Sequence, residues 1–199
     1  IPETDRYNAD SINITVNVEK LPSIFTGDNQ ISVKVGETKD LAVRVNHNRQ
    51  LIYESSNPNI VTVDDDGLIK GIIGGTAFIT VRYDEDGQYL ADEANVTVTV
   101  NKLQSTFTIE SPMIEMDVYG NALIIASSNN DGEITYVSCD ALIATVDGNK
   151  VTALKGGKVN ITLSVAETDR YLSNATNITV MVNKLQSTIV VTDAITVNV

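Results

Sequence analysis

The residues best suited to chemistry are scarce: one histidine, His47, and one cysteine, Cys139, among 199 residues. Nucleophilic or acid–base catalysis needs a nucleophile and a base within hydrogen-bonding reach, and neither residue has a counterpart elsewhere in the repeat described below. His47 falls in the polar turn Asn46-His47-Asn48-Arg49, where an exposed loop residue is expected. A lone thiol with no internal disulfide partner is expected to fill space. Carboxylates are plentiful, and the turns Asp64-Asp65-Asp66-Gly67 and Asp84-Glu85-Asp86-Gly87 could offer several oxygens to a hard cation such as calcium. Their spacing is not that of an EF-hand. The corresponding turns of the second repeat are Asp147-Gly148-Asn149-Lys150, which brings in a lysine, and Ala166-Glu167-Thr168-Asp169. Solvated hairpin turns are the simpler expectation. No apolar setting that would raise a carboxylate pKa can be read around these acids. The sequence therefore predicts no enzyme, no catalytic residue, no metal ligand and no cofactor.

Modification is the remaining chemistry. N-x-Ser/Thr sequons occur at Asn13, Asn95, Asn160, Asn174 and Asn177. Asn13, Asn95 and Asn177 recur at one interval and alternate with apolar neighbours, which puts them on the outer face of a strand. They are the candidate glycan acceptors, and a polar strand residue inherited with the repeat is the other reading.

The elements that position these residues follow from that interval. Eighty-two residues separate Tyr7 from Tyr89 and Tyr89 from Tyr171, and the same step relates Lys20, Lys102 and Lys184. NITVNVEKLPSIF at 13–25 returns as NVTVTVNKLQSTF at 95–107 and NITVMVNKLQSTI at 177–189. A fixed period means one supersecondary unit laid down repeatedly. Whole units are predicted at 21–102 and 103–184, with 1–20 as the terminal strand segment of a preceding repeat and 185–199 as the first strands of a following one. The tyrosines sit in the loop before the repeated strand, where a packing role at the end of the core is expected.

Apolar and polar residues alternate in Ile31/Val33/Val35, Leu41/Val43/Val45, Ala77/Ile79/Val81 and Val96/Val98/Val100. Such runs, rich in Val, Ile and Thr and separated by Gly, Asn and Asp turns, predict half-buried strands with very little helix. Two facing antiparallel sheets bury one side of each, so each unit is expected to be a seven-strand sandwich. Tyr53 and Tyr136 are expected in the core of equivalent strands. In the incomplete repeats, Ile12, Ile14, Val16 and Val18 should line the inner face of a strand, and Ile189, Val190, Ile195, Val197 and Val199 should begin another domain. The ends should support weak head-to-tail self-association.

The formal charge of −12 argues against nucleic acid and anionic membrane surfaces. The longest apolar run is too short to span a bilayer, so no direct membrane insertion is expected.

ISVKVGETKDLAVRV followed by LIYESSNPNIVTVDDDGLIKGIIGGTAFITV closely resembles the group 2 bacterial immunoglobulin-like repeat over residues 31–83. The resemblance implies an all-β fold of two tandem immunoglobulin-like β-sandwiches, with Tyr53 where the family carries a core aromatic. The second unit keeps Tyr136, Ala144-Thr145-Val146-Asp147 and Gly156-Gly157 but lacks the Gly-Glu and Asn-Pro signatures. Arrays joined by junctions like Asn101-Lys102-Leu103 look like the stalks of adhesin-like surface proteins of bacteria and methanogenic archaea. By resemblance, the expected role is a non-enzymatic, extracellular or cell-surface stalk or adhesion segment facing a protein or glycan of another cell or the envelope. Alternatives are a direct protein- or glycan-binding module and an accessory domain of a secreted glycoside hydrolase. A junction without a glycine run should be stiff.

Overall fold

The computed structural model describes residues 2–190. Its regular structure is entirely β, with no helix among the described residues. The first unit contains β1 (Phe25–Thr26), β2 (Gln30–Lys34), β3 (Thr38–Asp40), β4 (Arg44–Val45), β5 (Ile52–Ser55), β6 (Val61–Val63), β7 (Leu68–Gly71), β8 (Gly75–Tyr83) and β9 (Asp92–Asn101). A four-stranded sheet runs β2-β9-β8-β5, a three-stranded sheet runs β3-β7-β6, and β1 pairs with β4. Alternation explains the layering. Along β9, Val96, Val98 and Val100 are buried while Asn95, Thr97 and Thr99 face out. With Val33, Val61, Ile69, Ile79 and Val81 they form one core between the sheets. Each fully buried Val or Ile contributes about 1.5–3 kcal/mol.

The second unit repeats the plan with β10 (Phe107–Ile109), β11 (Met113–Asp117), β12 (Asn121–Leu123), β13 (Ala126–Ser128), β14 (Ile134–Ser138), β15 (Ala144–Asp147), β16 (Lys150–Ala153), β17 (Gly157–Val165) and β18 (Asn174–Asn183). Its sheets are β11-β18-β17-β14, β12-β16-β15 and β10-β13. Its core gathers Ile124, Val151, Ile161, Leu163, Ile178 and Val180. These are two tandem Ig-like sandwiches.

Each unit has nine strands where seven were expected, because two long strands break and change sheets. Gly27 (φ 138°) separates β1, on β4, from β2, on β9; Ala42 (φ 53°) lies between β3, on β7, and β4. The breaks adjoin: a Cβ on Gly27 would lie 3.0 Å from the Ala42 carbonyl oxygen. Changing sheets also makes β2 parallel to β9, and β11 parallel to β18, whereas the remaining pairs are antiparallel.

Tyr53 pairs with Val81 and Tyr136 with Leu163, so the tyrosines do occupy equivalent strands. Both are half-buried rather than inside the core, packed against its margin. Burial, then the Asp40 charge, pushes the Tyr53 hydroxyl above the ordinary tyrosine pKa. The two lie 83 residues apart, not 82. The second unit gains one residue before β11 and loses one in the β15–β16 turn, so the period is restored by the end of the unit.

The strand expected at Ile12, Ile14, Val16 and Val18 does not form; these residues are 77–90% exposed. Among the described residues no strand takes up their backbone groups, and an isolated strand is unstable in water. Ile189 and Val190 are likewise exposed, while Ile195, Val197 and Val199 lie outside the described residues.

Candidate functional site

A polar cluster lies at one end of the first unit, around the β8–β9 turn. Asp86 Oδ1 accepts the backbone N–H groups of Gln88 (2.6 Å) and Tyr89 (2.7 Å). The turn holds the chain entering the unit: Leu21 N–H donates to the Gln88 carbonyl, and Leu90 N–H to that of Leu21. The same turn recurs at Thr4 and Thr168, whose hydroxyls accept the N–H groups of Arg6 and Tyr7 and of Arg170 and Tyr171. The repeated tyrosine marks this turn. Tyr89 and Tyr171 are half-buried, whereas Tyr7 is exposed.

His47 is half-buried, not an exposed loop residue. Its ring lies 4.4 Å from those of Tyr83 and Tyr89, and Nε2 sits 3.1 Å from Ser23 Oγ. The pair looks like a nucleophile and its base, but the protons run the wrong way. The Ser23 hydroxyl donates to the Leu90 carbonyl (2.7 Å), and the Arg49 N–H points at His47 Nδ1 (3.4 Å). This network assigns the imidazole proton to Nε2, which donates to Ser23, whereas an activated serine must donate to its histidine. The second unit makes the same bond without a base: Asn130 Nδ2 donates to Ser105 Oγ (2.7 Å), and Ser105 donates to the Leu172 carbonyl. His47 thus has a counterpart, at the 83-residue offset. Its position is structural.

The acidic turns are occupied internally. The Tyr83 hydroxyl, buried beside Asp86 but with no partner in good hydrogen-bonding geometry, is the largest influence on that carboxyl. With the N–H groups of Tyr89 and Gln88, and the Arg49 guanidinium at 3.3 Å, it holds Asp86 well below the usual carboxylate range. Glu85 pairs with Lys20, and Asp84 with Arg82. Asp64 Oδ1 accepts the N–H groups of Asp66 and Leu68. Among the described residues, no group of three or more His, Cys, Asp or Glu is placed to hold a metal ion. Cys139 is exposed rather than filling a core gap, with Sγ 3.7 Å from Thr162 Oγ1.

Asn95 and Asn177 project from the outer faces of β9 and β18. Each Oδ1 accepts a bond (2.8 Å) from a directly opposed threonine, Thr80 and Thr162. Asn13 lies in the exposed N-terminal segment.

Between the units there is almost no slack. β9 ends at Asn101, and Leu103 already bridges Tyr171. The intervening Lys102 lays its stem over Gly74, where a side chain would collide with it, and reaches Glu167 (2.5 Å). Gly74 N–H donates to the Asp169 carbonyl at 2.7 Å, joining the units directly. The sequence shows only the recurrence of the lysine, because its partners Gly74 and Glu167 are remote from it along the chain.

The second unit also has a cleft of about 230 Å³, lined by Met113, Ile114, Ala122, Leu123 and Ile125 beside the polar Glu110 and Ser111. Met113, Leu123 and Ile125 are each about three-fifths exposed. The corresponding residues of the first unit are Gln30, Asp40 and Ala42, so this patch belongs to one unit only.

The chain is 27% identical over 165 residues to Ice-binding protein 1 of Shewanella frigidimarina (strain NCIMB 400), covering 79% of this chain but 18% of that protein. Among solved structures, domains 4 and 5 of the S-layer protein SbsC align at 17% identity over 80% of this chain and 96% of that one, with a TM-score of 0.36. Drosophila N-cadherin EC1-3 aligns at 14% over 82% and 68%, with a TM-score of 0.35. Residues 21–92 match the bacterial Ig-like domain (group 2). The first unit is thus a group 2 bacterial Ig-like domain, and the second repeats its topology.

Proposed function

We propose that this chain is a non-catalytic spacer in an extracellular surface protein, two Ig-like sandwiches holding another part of the molecule away from the envelope. The observation that carries this reading is the junction: one residue, Lys102, lies between the end of β9 and the first contact of Leu103, and it is pinned on both sides. A spacer transmits position only if its joints do not swivel. The inverted proton arrangement at Ser23 and His47 supports the absence of catalysis. Replacing residues 21–184 in the parent protein by a Gly/Ser linker of equal length should reduce antibody access to distal epitopes on intact cells. Unchanged access would count against a spacer. Asn13, Asn95 and Asn177 are proposed glycan acceptors: Asn13 is exposed, and at Asn95 and Asn177 the threonines engage Oδ1 and not the nitrogen a glycan takes; intact-mass measurement of the native protein tests this.

A second reading, direct binding to a protein or glycan, is favoured by the exposed apolar side chains of Met113, Leu123 and Ile125 beside this cleft. Exposed apolar residues gathered on one unit suit a recognition surface. Met113→Gln with Leu123→Asp should then abolish attachment to target cells while leaving the melting temperature within a few degrees.

A further inference from the structure

We propose that the Gly156–Lys184 end of the second unit is a docking face for one more copy of this repeat, presented in the same chain. The proposal deepens the spacer reading and rests on it. The complete joint is seen once: Gly74 seats the Lys102 stem, Glu167 takes the ammonium, and Gly74 N–H donates to the Asp169 carbonyl. One half recurs at the other end of the first unit, where Lys20 meets Glu85 across the same 65 residues that separate Lys102 from Glu167. The complementary half recurs on the second unit. The Lys184 stem already lies over Gly156, where a Cβ would come within 2.5 Å of Lys184 Cγ. Glycine is required at both seats by the close approach of the stem.

The occupant is specified by what fits the complete joint: a turn with glutamate at the place of Glu85 and Glu167 and a backbone carbonyl two residues on, where Gly87 and Asp169 stand. Seating Lys184 before that glutamate arrives removes part of the ordering cost of forming the joint. An exposed lysine–glutamate pair is weak. The joint therefore forms where a covalent connection supplies a high effective concentration, not between separate molecules.

The test lengthens the full chain after Val199 by a second copy of residues 36–102, which supplies the turn of Glu85. Cys139 carries one spin label. A second is placed by Thr76→Cys in the first unit or by the same change in the added unit, and pulsed dipolar spectroscopy reads both distances. The unit 2–unit 3 distribution should be as narrow as that between units 1 and 2. Lys184→Ala should broaden it at least two-fold while the other is unchanged, and Gly156→Val should do the same. Lys102→Ala should broaden the unit 1–unit 2 distribution alone. A folded third unit whose distribution is broad, or indifferent to Lys184→Ala, overturns the proposal. If Lys102→Ala is also silent, the stiff-joint basis of the spacer reading fails with it; if Lys102→Ala broadens its own joint, only the docking face is lost.

Discussion

Single residues record how the two copies have diverged. Gly36 turns the chain after β2 with φ 82°, and its N–H donates to Gly71; in the second unit Tyr119 stands there at φ 68° and donates to Ala153. A left-handed conformation costs a non-glycine residue roughly 1–2 kcal/mol, so Tyr119→Gly should stabilise the second unit by about 1 kcal/mol in urea unfolding, and a loss of stability would contradict the strain. Asp86 and Thr168 cap the same turn, but only the aspartate titrates. Its pKa is lower folded than unfolded, so its contribution is complete above the unfolded value of about 4 and is lost as pH falls below it. Asp86→Thr keeps the cap. It should cost stability at pH 7 and progressively less below pH 4; a deficit independent of pH would contradict the assignment. The sequence hides the histidine's counterpart for a related reason. A one-residue gain before β11 moves its counterpart Asn130 off the 82-residue register, and an asparagine does not look like a histidine until each is found bonded to the equivalent serine, Ser23 or Ser105.

At the scale of strands, alternation made β8, β9, β17 and β18 legible, because half-buried strands of nine or ten residues write a long period-two pattern. It could not reveal where strands change sheets. Inward residues remain inward on either side of the Gly27 and Ala42 breaks, and alanine carries no signal of a positive φ. The parallel β2–β9 pairing was hidden by the same crossing. Nor does pattern measure depth: Tyr53 packs its ring over Gly67, where a Cβ would lie 2.9 Å from the ring carbon Cζ, and stays half-buried. Tyr53→Ala should cost about 2 kcal/mol, below the 3–5 kcal/mol of a fully buried aromatic. Gly67→Ala should destabilise the first unit as well, through both the ring and a φ of 83°. Differential scanning calorimetry measures both, and wild-type melting of either variant would count against the contact.

For the whole molecule, the exposed row Ile12, Ile14, Val16 and Val18 supports the proposal of weak head-to-tail self-association. Light scattering should detect it at high concentration, and removing residues 1–20 and 185–199 should abolish it; a full chain that stays monomeric contradicts it. The junction has the larger consequence, since a spacer is defined by the relation between its units. Its parts are invisible as a set in the sequence because Gly74, Lys102 and Glu167 come from three separate connections between strands. Residual dipolar couplings of backbone N–H groups in the weakly aligned full chain test that relation most directly. A single alignment tensor should fit both units, and Lys102→Ala should split it into two of different magnitude. Two independent tensors in the unsubstituted chain would contradict a fixed joint.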